Sequence, residues 1–93
     1  MTKGIMVVQS APADPSREDE YNEWYSTVHI PEILSVPGFA SARRYKSADG
    51  SYLAIYELDD VGAVKALREH PTTKSHTLRL DPPPVVSVYE LLE

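Results

Sequence analysis

The segment FASARRYKSADGSYLAIYEL, residues 39–58, decides the fold because it is typical of two strands joined by a tight turn. Asp49-Gly50 is a strong turn signal, and the runs on either side alternate along the chain. On the first arm, strand alternation places Phe39, Ser41, Arg43 and Tyr45 on one face and Ala40, Ala42, Arg44 and Lys46 on the other. On the second arm it separates Tyr52, Ala54, Tyr56 and Leu58 from Leu53, Ile55 and Glu57. The segment therefore predicts a β-hairpin.

A strand and a helix are predicted on the N-terminal side of this hairpin. GIMVVQS, residues 4–10, is a short β-branched run that favours a buried strand. In YNEWYSTVHIPEIL, residues 21–34, apolar side chains recur with helical spacing and should all face the sheet: Tyr21, Trp24, Tyr25 and Val28. Pro31 should end or bend this helix, because it has no N–H to donate to the carbonyl four residues earlier.

A second helix and a last strand are predicted on the C-terminal side. DDVGAVKALREH, residues 59–70, has Asp59 or Asp60 as N-cap and an apolar side formed by Val61, Ala63, Val64, Ala66 and Leu67. VVSVYELLE, residues 85–93, follows as a strand. The order βαββαβ predicts an α+β, ferredoxin-like fold, with a four-stranded antiparallel sheet and two helices on one face. The other sheet face should be covered by a second copy, giving a homodimer.

Composition restricts the class of protein. The chain has 93 residues, which predicts a single domain over residues 1–93. Its net charge of −5, without a long basic run, argues against nucleic acid or a membrane as partner. There is no cysteine, hence no disulfide and no thiolate. The N-terminal apolar run is too short for a signal peptide or a membrane span, so a cytoplasmic location is expected.

The chain resembles a known superfamily. YNEWYSTVHIPEILSVPGFASARRY, followed by YLAIYEL and SVYEL, is similar to the dimeric α+β barrel superfamily, and within it to small EthD-like proteins. The resemblance rests on a histidine before proline in the helix and on PGF before the second strand. It implies a cleft between helices and sheet, often with a catalytic histidine and tyrosines. Members include isomerases, polyketide cyclases, lyases, cofactor-free oxygenases, haem-handling enzymes and stress proteins, so the fold leaves the reaction open.

Three residues are candidates for catalysis. His29 follows Tyr25 by four residues, so both can reach one pocket, and imidazole is a natural general acid or base near neutral pH. The alternative is a structural histidine hydrogen-bonded at the helix end. Arg43 and Arg44 point to opposite faces, so one of them can enter the cleft and hold a carboxylate, phenolate or enolate oxygen. Arg43 is taken as that candidate, and a solvated strand charge is the alternative for each arginine.

Further residues are candidates for binding a flat substrate: Tyr21, Trp24, Tyr45, Tyr56 and His76. Each has a structural alternative, since tyrosine is a good strand former and Trp24 is a normal core residue. His76 remains undecided between the cleft mouth and an exposed loop, whereas His70 is expected to be exposed without function.

No cofactor is expected. The three histidines lack metal-ligand spacing, and the four glycines form no phosphate-binding loop. A haem held by one axial histidine stays open. The first expectation is therefore cofactor-independent proton transfer (isomerase, cyclase or lyase) on a small aromatic, lactone or polyketide-like substrate. The alternatives are a cofactor-free monooxygenase and a non-catalytic dimeric ligand-binding or stress protein.

Overall fold

The computed structural model describes residues 2–69 and 84–93. The predictions for His70, for His76 and for the polar stretch around them lie outside the described residues. The strands are β1 (Gly4–Ser10), β2 (Phe39–Lys46), β3 (Tyr52–Leu58) and β4 (Val85–Glu90). The helical segments are a 3₁₀ turn (Pro15–Arg17), α1 (Glu18–Trp24), a π turn (Tyr25–His29), α2 (Ile30–Leu34) and α3 (Ala63–Glu69).

The four strands form one antiparallel sheet in the order β2-β3-β1-β4. In the centre of the sheet, Met6 of β1 lies opposite Tyr56 of β3 and Val88 of β4. The helices cover one face, and the buried core lies between them and the sheet. The α+β, ferredoxin-like βαββαβ prediction is confirmed.

The buried face of the sheet matches the predicted alternation on β3 but not on β2. Tyr52, Ala54, Tyr56 and Leu58 share one face, as predicted, and all four are buried. On β2, a β-bulge between Phe39 and Ser41 adds one residue to the strand. Phe39 therefore lies on the helix side with Ala42 and Arg44, and the prediction that it shares a face with Ser41 and Arg43 was wrong.

The hairpin turn was predicted correctly at Asp49-Gly50, although the loop is longer than two residues. Lys46 is the last residue of β2 and pairs with Tyr52, so residues 47–51 form the loop. The Gly50 N–H donates to the Ser47 carbonyl at 3.2 Å, and Gly50 has φ of 91°. A left-handed glycine of this kind is typical of longer hairpin loops.

The first helix runs through Pro31 rather than ending there, and its distortion is a π turn. The Ile30 N–H donates to the carbonyl of Tyr25, five residues earlier. Proline at position 31 cannot donate to Thr27 and its ring crowds that carbonyl, and a wider turn accommodates both effects. The predicted distortion at Pro31 is confirmed. Val28, predicted to face the sheet, is 43% exposed because the π turn changes the helical phase.

The second helix is shorter than predicted. It begins at Ala63, whose N–H donates to the carbonyl of Asp60 at 2.9 Å. Its buried residues are Ala63, Val64 and Leu67, whereas Ala66 is exposed, contrary to the predicted apolar side. The last strand likewise ends at Glu90 rather than at residue 93. Within the described residues, no helix is long and apolar enough to cross a membrane.

The face of the sheet opposite the helices, here called the outer face, is largely apolar. Register places Ile5, Val7, Leu53 and Ile55 on it, all half-buried. Tyr45, Val85 and Tyr89 lie on the same face and are 49%, 57% and 56% exposed.

Candidate functional site

His29 contacts two aromatic side chains of its own helix, Trp24 and Tyr25, whose ring centroids are themselves 5.4 Å apart. Its imidazole stacks on the Trp24 indole, with ring centroids 4.6 Å apart and an angle of 15° between the planes. The edge of Tyr25 meets it at 4.9 Å and 83°. Trp24 and His29 are five residues apart, and the π turn that begins at Tyr25 brings this spacing onto one side of the helix. Both rings are half-buried, so the imidazole is held in place and still reaches the surface of the protein.

Tyr25 connects this pair to a buried group of tyrosines. Tyr25 is 1% exposed and Tyr21 is fully buried, with ring centroids 5.4 Å apart. Tyr52 continues the group, 5.1 Å from Tyr21. The tyrosines of the first helix and of β3 therefore contact one another on the helix side of the sheet.

Arg44 places a positive charge over these rings. Its guanidinium carbon lies 4.3 Å from the centroid of Tyr25, 5.5 Å from that of Tyr21 and 5.2 Å from that of Tyr52. These are cation–π distances, and arginine is the cation that proteins use most often in this way. Tyr25 thus has Arg44 over its ring and His29 against its edge.

A short hydrogen-bond chain holds Arg44 in place. Arg44 Nη2 donates to Asn22 Oδ1 at 2.9 Å, and Asn22 Nδ2 donates to the Tyr52 hydroxyl at 3.2 Å. Asn22 therefore connects the helix to β2 and β3 beside the tyrosine group. The planar guanidinium suits this combination of stacking and directed hydrogen bonding.

The buried phenol groups differ in how they are satisfied. The Tyr21 hydroxyl shares a hydrogen bond of 2.5 Å with Ser10 Oγ. The Tyr56 hydroxyl is buried and makes no hydrogen bond of good geometry, but it lies close enough to the Tyr25 hydroxyl to act on its pKa. Burial raises the pKa of Tyr25 above its ordinary value, and the Tyr21 phenol adds to the rise, while hydrogen bonds with Tyr56 and Ser10 and then the Arg44 guanidinium act against it. Burial raises the pKa of Tyr56 even more strongly, so both phenols stay protonated at neutral pH.

The structure divides the residues predicted for the site between two faces of the sheet. Tyr21, Trp24, Tyr25, His29 and Tyr56 lie together on the helix side. Arg43 and Tyr45 lie on the outer face, where they line an open groove of about 520 Å³. His76 lies outside the described residues. Of the two arginines, Arg44 rather than Arg43 lies beside the aromatic group.

Three residues of this arrangement were missed from the sequence: Arg44 as the arginine on the helix side, Asn22 and Ser10. The helical spacing contained a signal for Asn22, which directly follows Tyr21 and lies three residues before Tyr25. Ser10 carried no signal, since it is one polar residue at the end of an apolar strand. Among residues 2–69 and 84–93, no three His, Cys, Asp or Glu side chains are grouped so as to hold a metal ion.

The arrangement combines three chemical elements. An imidazole that can accept or donate a proton is fixed by aromatic stacking. Aromatic surfaces beside it suit a flat ring. A guanidinium on the same side of the sheet favours negative charge nearby.

Comparison with solved structures shows which proteins share this fold. A protein of Mycobacterium tuberculosis matches with a TM-score of 0.74 and 20% identity, over 98% of this chain and 96% of that one. A monooxygenase of Streptomyces coelicolor, in complex with nanaomycin D, matches with a TM-score of 0.65 and 20% identity, over 99% and 89%. An EthD family protein of Bacillus halodurans matches with a TM-score of 0.66 and 14% identity, over 99% and 100%.

A protein described as an antibiotic biosynthesis monooxygenase also matches, with a TM-score of 0.73 and 13% identity over the whole of both chains. No family model matches the sequence. No curated protein matches it either. The chain has the ferredoxin-like α+β fold of the antibiotic biosynthesis monooxygenase and EthD proteins, and this likeness concerns the fold alone.

Proposed function

We propose that this protein is a homodimeric, cofactor-independent enzyme that transfers a proton on a small aromatic, lactone or polyketide-like substrate. His29 is the general acid or base of an isomerisation, cyclisation or lyase reaction. The observation that supports this role is the position of its imidazole, half-buried, stacked on Trp24 and in perpendicular contact with the ring of Tyr25.

The surroundings of His29 suit proton transfer better than simple packing. A general base must be both fixed in position and reachable by the substrate. Stacking on Trp24 fixes the ring plane, and partial exposure leaves a route to it. Arg44, over the ring of Tyr25, supplies positive charge toward an enolate or phenolate that forms when a proton is removed.

Proton exchange on an aromatic ketone tests this function. The wild-type protein should accelerate the exchange of deuterium from solvent into the α-carbon of 2-tetralone, followed by NMR. His29→Gln keeps hydrogen bonding but not basicity, and should reduce the acceleration by about two orders of magnitude or more. The pH–rate profile should lose one limb in this variant.

The matched control is Glu23→Gln, which changes an exposed residue of the same helix and should exchange at the wild-type rate. If His29→Gln exchanges as fast as the wild-type protein while both remain folded, the imidazole is not the base. If the wild-type protein leaves the exchange rate unchanged, this reaction class is excluded for aromatic ketones.

Cofactor-free oxygenation is a second candidate, because several matching structures are described as monooxygenases and one of them was solved in complex with nanaomycin D. In that reaction His29 removes the proton of a phenol, and the phenolate reacts with dioxygen. Consumption of dioxygen by the wild-type protein with 1-naphthol, lost in His29→Gln, would favour this candidate. The 1-naphthol should remain unchanged when the wild-type protein is incubated with it under nitrogen. Proton exchange that continues under strict anaerobiosis would favour the first.

A third candidate is a dimeric protein that binds a ligand without turning it over. Trp24 is the single tryptophan of the chain, so its fluorescence reports directly on the site. Quenching of Trp24 fluorescence by an aromatic compound, without proton exchange or oxygen consumption, would indicate binding alone. The quenching should then also be observed in His29→Gln.

A further inference from the structure

The outer face of the sheet carries one cation and one anion. Among the strand residues that register assigns to this face, Arg43 of β2 and Glu57 of β3 are the ones with a charged side chain. Both side chains are exposed, and both line the open groove of about 520 Å³. The other strand residues around them are apolar or uncharged, so the two opposite charges stand out on this face.

Neither charge is paired within its own chain. In the part of the chain that the structure describes, the salt bridges belong to other residues, and none includes Arg43 or Glu57. Arg43 lies opposite Ile55, and Glu57 lies opposite Ser41, so the two charges are diagonal neighbours on adjacent strands. Diagonal positions are about 7–8 Å apart, which long side chains can span. The two charges are nevertheless left open to a partner outside the chain.

The balance of charge indicates which partner fits this face. The whole chain has a net charge of −5, so two copies repel each other at a distance. On the outer face the charges of Arg43 and Glu57 cancel, so two copies can approach there without a net repulsion between the faces. A partner recognised by its own charge would instead favour a face of a single sign. A second copy of this chain offers the same apolar side chains and the same two opposite charges.

Two-fold symmetry can bring these charges together twice. In a symmetric dimer, a contact between two different residues always forms a second time with the subunits exchanged. An axis between two facing sheets that follows the diagonal from Ser41 to Ile55 exchanges the positions of Arg43 and Glu57. The same axis brings Ile55 close to its own copy. Continued in this direction the axis crosses β1, so the two sheets overlap around their middle.

We propose that Arg43 of each protomer forms an ion pair with Glu57 of the partner subunit, and that these two symmetric pairs fix the relative orientation of the sheets in the homodimer. The inference rests on the dimer of the proposed function, and it goes further by naming the contacts that set the geometry of that dimer. The apolar residues of the outer face drive association without specifying a crossing angle. Opposite charges specify one orientation, because other orientations leave them unpaired or place like charges together.

An ion pair within one chain is the competing explanation. In solution the diagonal side chains of Arg43 and Glu57 could turn toward each other on the same sheet. Both explanations predict that a variant with the two charges exchanged regains what a single reversal loses. They differ for a mixture of the two single reversals, because only a contact between subunits can be restored by a different chain.

The first arm of the test measures dimerisation of the single variants by sedimentation. Arg43→Glu and Glu57→Arg each place like charges at both symmetric contacts, and each should weaken the dimer about a hundredfold or more. Lys65→Glu is the matched control, because it produces the same net charge as Arg43→Glu at an exposed position of α3. It should dimerise as the wild-type protein does. Unchanged Trp24 fluorescence shows that each variant is folded.

The second arm mixes equal amounts of Arg43→Glu and Glu57→Arg. Each reversed charge then faces an opposite charge on the other chain, so a heterodimer should form about as tightly as the wild-type dimer, identified by its mass in native mass spectrometry. A mixture of Lys65→Glu and Glu57→Arg has the same two net charges but restores one of the two pairs, and should associate more weakly.

The neutral variants Arg43→Gln and Glu57→Gln repeat the test without a reversed charge. Each should weaken the dimer by a similar factor, and combining them should add little, since each ion pair can be lost only once.

Three results would overturn the proposal. Single reversals that dimerise as tightly as the wild-type protein would show that the charges do not meet across the interface. A mixture of folded Arg43→Glu and Glu57→Arg that stays monomeric would assign the pair to one chain. A monomeric wild-type protein would exclude the pair together with the dimer. In each case, proton exchange that is lost in His29→Gln and retained in Arg43→Glu would leave the proposed proton transfer standing, so the two failures are distinguishable.

Discussion

At Gly38, a single residue meets two constraints at once. Its φ is 97°, in the left-handed region that residues with a Cβ rarely adopt. A Cβ at this position would lie 2.6 Å from the Cβ of Ala63. Its carbonyl also accepts a hydrogen bond of 2.9 Å from the Asp59 N–H. The glycine of the PGF sequence thus allows the turn into β2 and the close approach of α3.

Gly38→Ala should destabilise the protein more than Gly50→Ala, and the difference measures the contact with α3. Gly50 has a similar φ of 91°, but a Cβ there would meet no atom within 4 Å. The conformational cost, about 1 kcal/mol, applies to both variants. The clash with Ala63 should add roughly 1–3 kcal/mol at Gly38. Equal urea midpoints for the two variants would show that α3 moves away at no cost.

Arg44 illustrates what residue patterns predict and what they do not. Strand alternation correctly separates Arg43 from Arg44, because successive side chains point to opposite faces. The β-bulge between Phe39 and Ser41 determines which of the two arginines points toward the helices. No residue in that stretch indicates an inserted position. Simple alternation groups Arg43 and Tyr45 on the same face as Phe39. In the folded chain, Phe39 lies on the face of Arg44, whose guanidinium lies over the ring of Tyr25.

At the scale of elements, the first helix shows how one residue changes a whole segment. The sequence predicts a distortion at Pro31 from the missing N–H, and the distortion is present. Its form, a π turn rather than an end or a bend, depends on the packing of Tyr25 and Ile33 into the core, which a local pattern does not contain. The same turn exposes Val28 and stacks His29 on Trp24, so a wrong packing prediction and the candidate site have one cause.

The loop of the β2-β3 hairpin is an element with its own pH dependence. The Asp49 carboxylate accepts hydrogen bonds from the Ser47 hydroxyl, from the Ser51 N–H at 3.0 Å and from the Ser51 hydroxyl at 2.8 Å. The hydrogen bond from Ser47, followed by those from Ser51, lowers the pKa of Asp49 from 3.8 to about 2. A carboxyl whose pKa is lower in the folded state stabilises folding above its ordinary pKa, and this contribution is lost as pH falls.

Asp49→Ala should therefore reduce the free energy of unfolding by a constant amount from pH 7 down to about pH 5, and by a shrinking amount as pH falls from about 4 to 2. Urea unfolding at several pH values measures the difference from the wild-type protein. Asp59→Ala removes another exposed carboxylate, outside the loop, and controls for the change in net charge. A wild-type advantage over Asp49→Ala that persists undiminished at pH 2 would show that the lost hydrogen bonds are not those of the ionised carboxylate.

At the scale of the molecule, the order of the elements determines the fold, because βαββαβ leaves few antiparallel arrangements. The hairpin, the buried character of β1 and the alternation along β3 all follow from local patterns and agree with one another. The site does not follow in the same way. It forms where Asn22, Arg44 and Tyr52, which belong to three different elements, meet through hydrogen bonds of 2.9 and 3.2 Å. Contacts of this kind depend on register, which a sequence without its fold does not specify.

The outer face of the sheet bears on the assembly of two chains. Ile5, Val7, Leu53 and Ile55 form an apolar surface that no helix covers in the described structure, and Tyr45 and Tyr89 project from it. An apolar surface of this extent on so small a protein favours a partner, and a second identical sheet would match it through a two-fold axis. The candidate site lies on the opposite side of the sheet, so dissociation should leave the stacking of Trp24 on His29 intact.

Ile55→Asp should therefore convert the protein from a dimer to a monomer. Sedimentation of the wild-type protein at micromolar concentration should give about twice the chain mass of 10.4 kDa, and the variant should give the mass of one chain. Ala48→Asp adds the same charge in the exposed hairpin loop and should remain dimeric. Unchanged Trp24 fluorescence in Ile55→Asp would show that the variant is folded and that only the contact between sheets is lost. A wild-type protein that sediments with a mass of 10.4 kDa would exclude the dimer. The apolar outer face would then be exposed to solvent in the native protein.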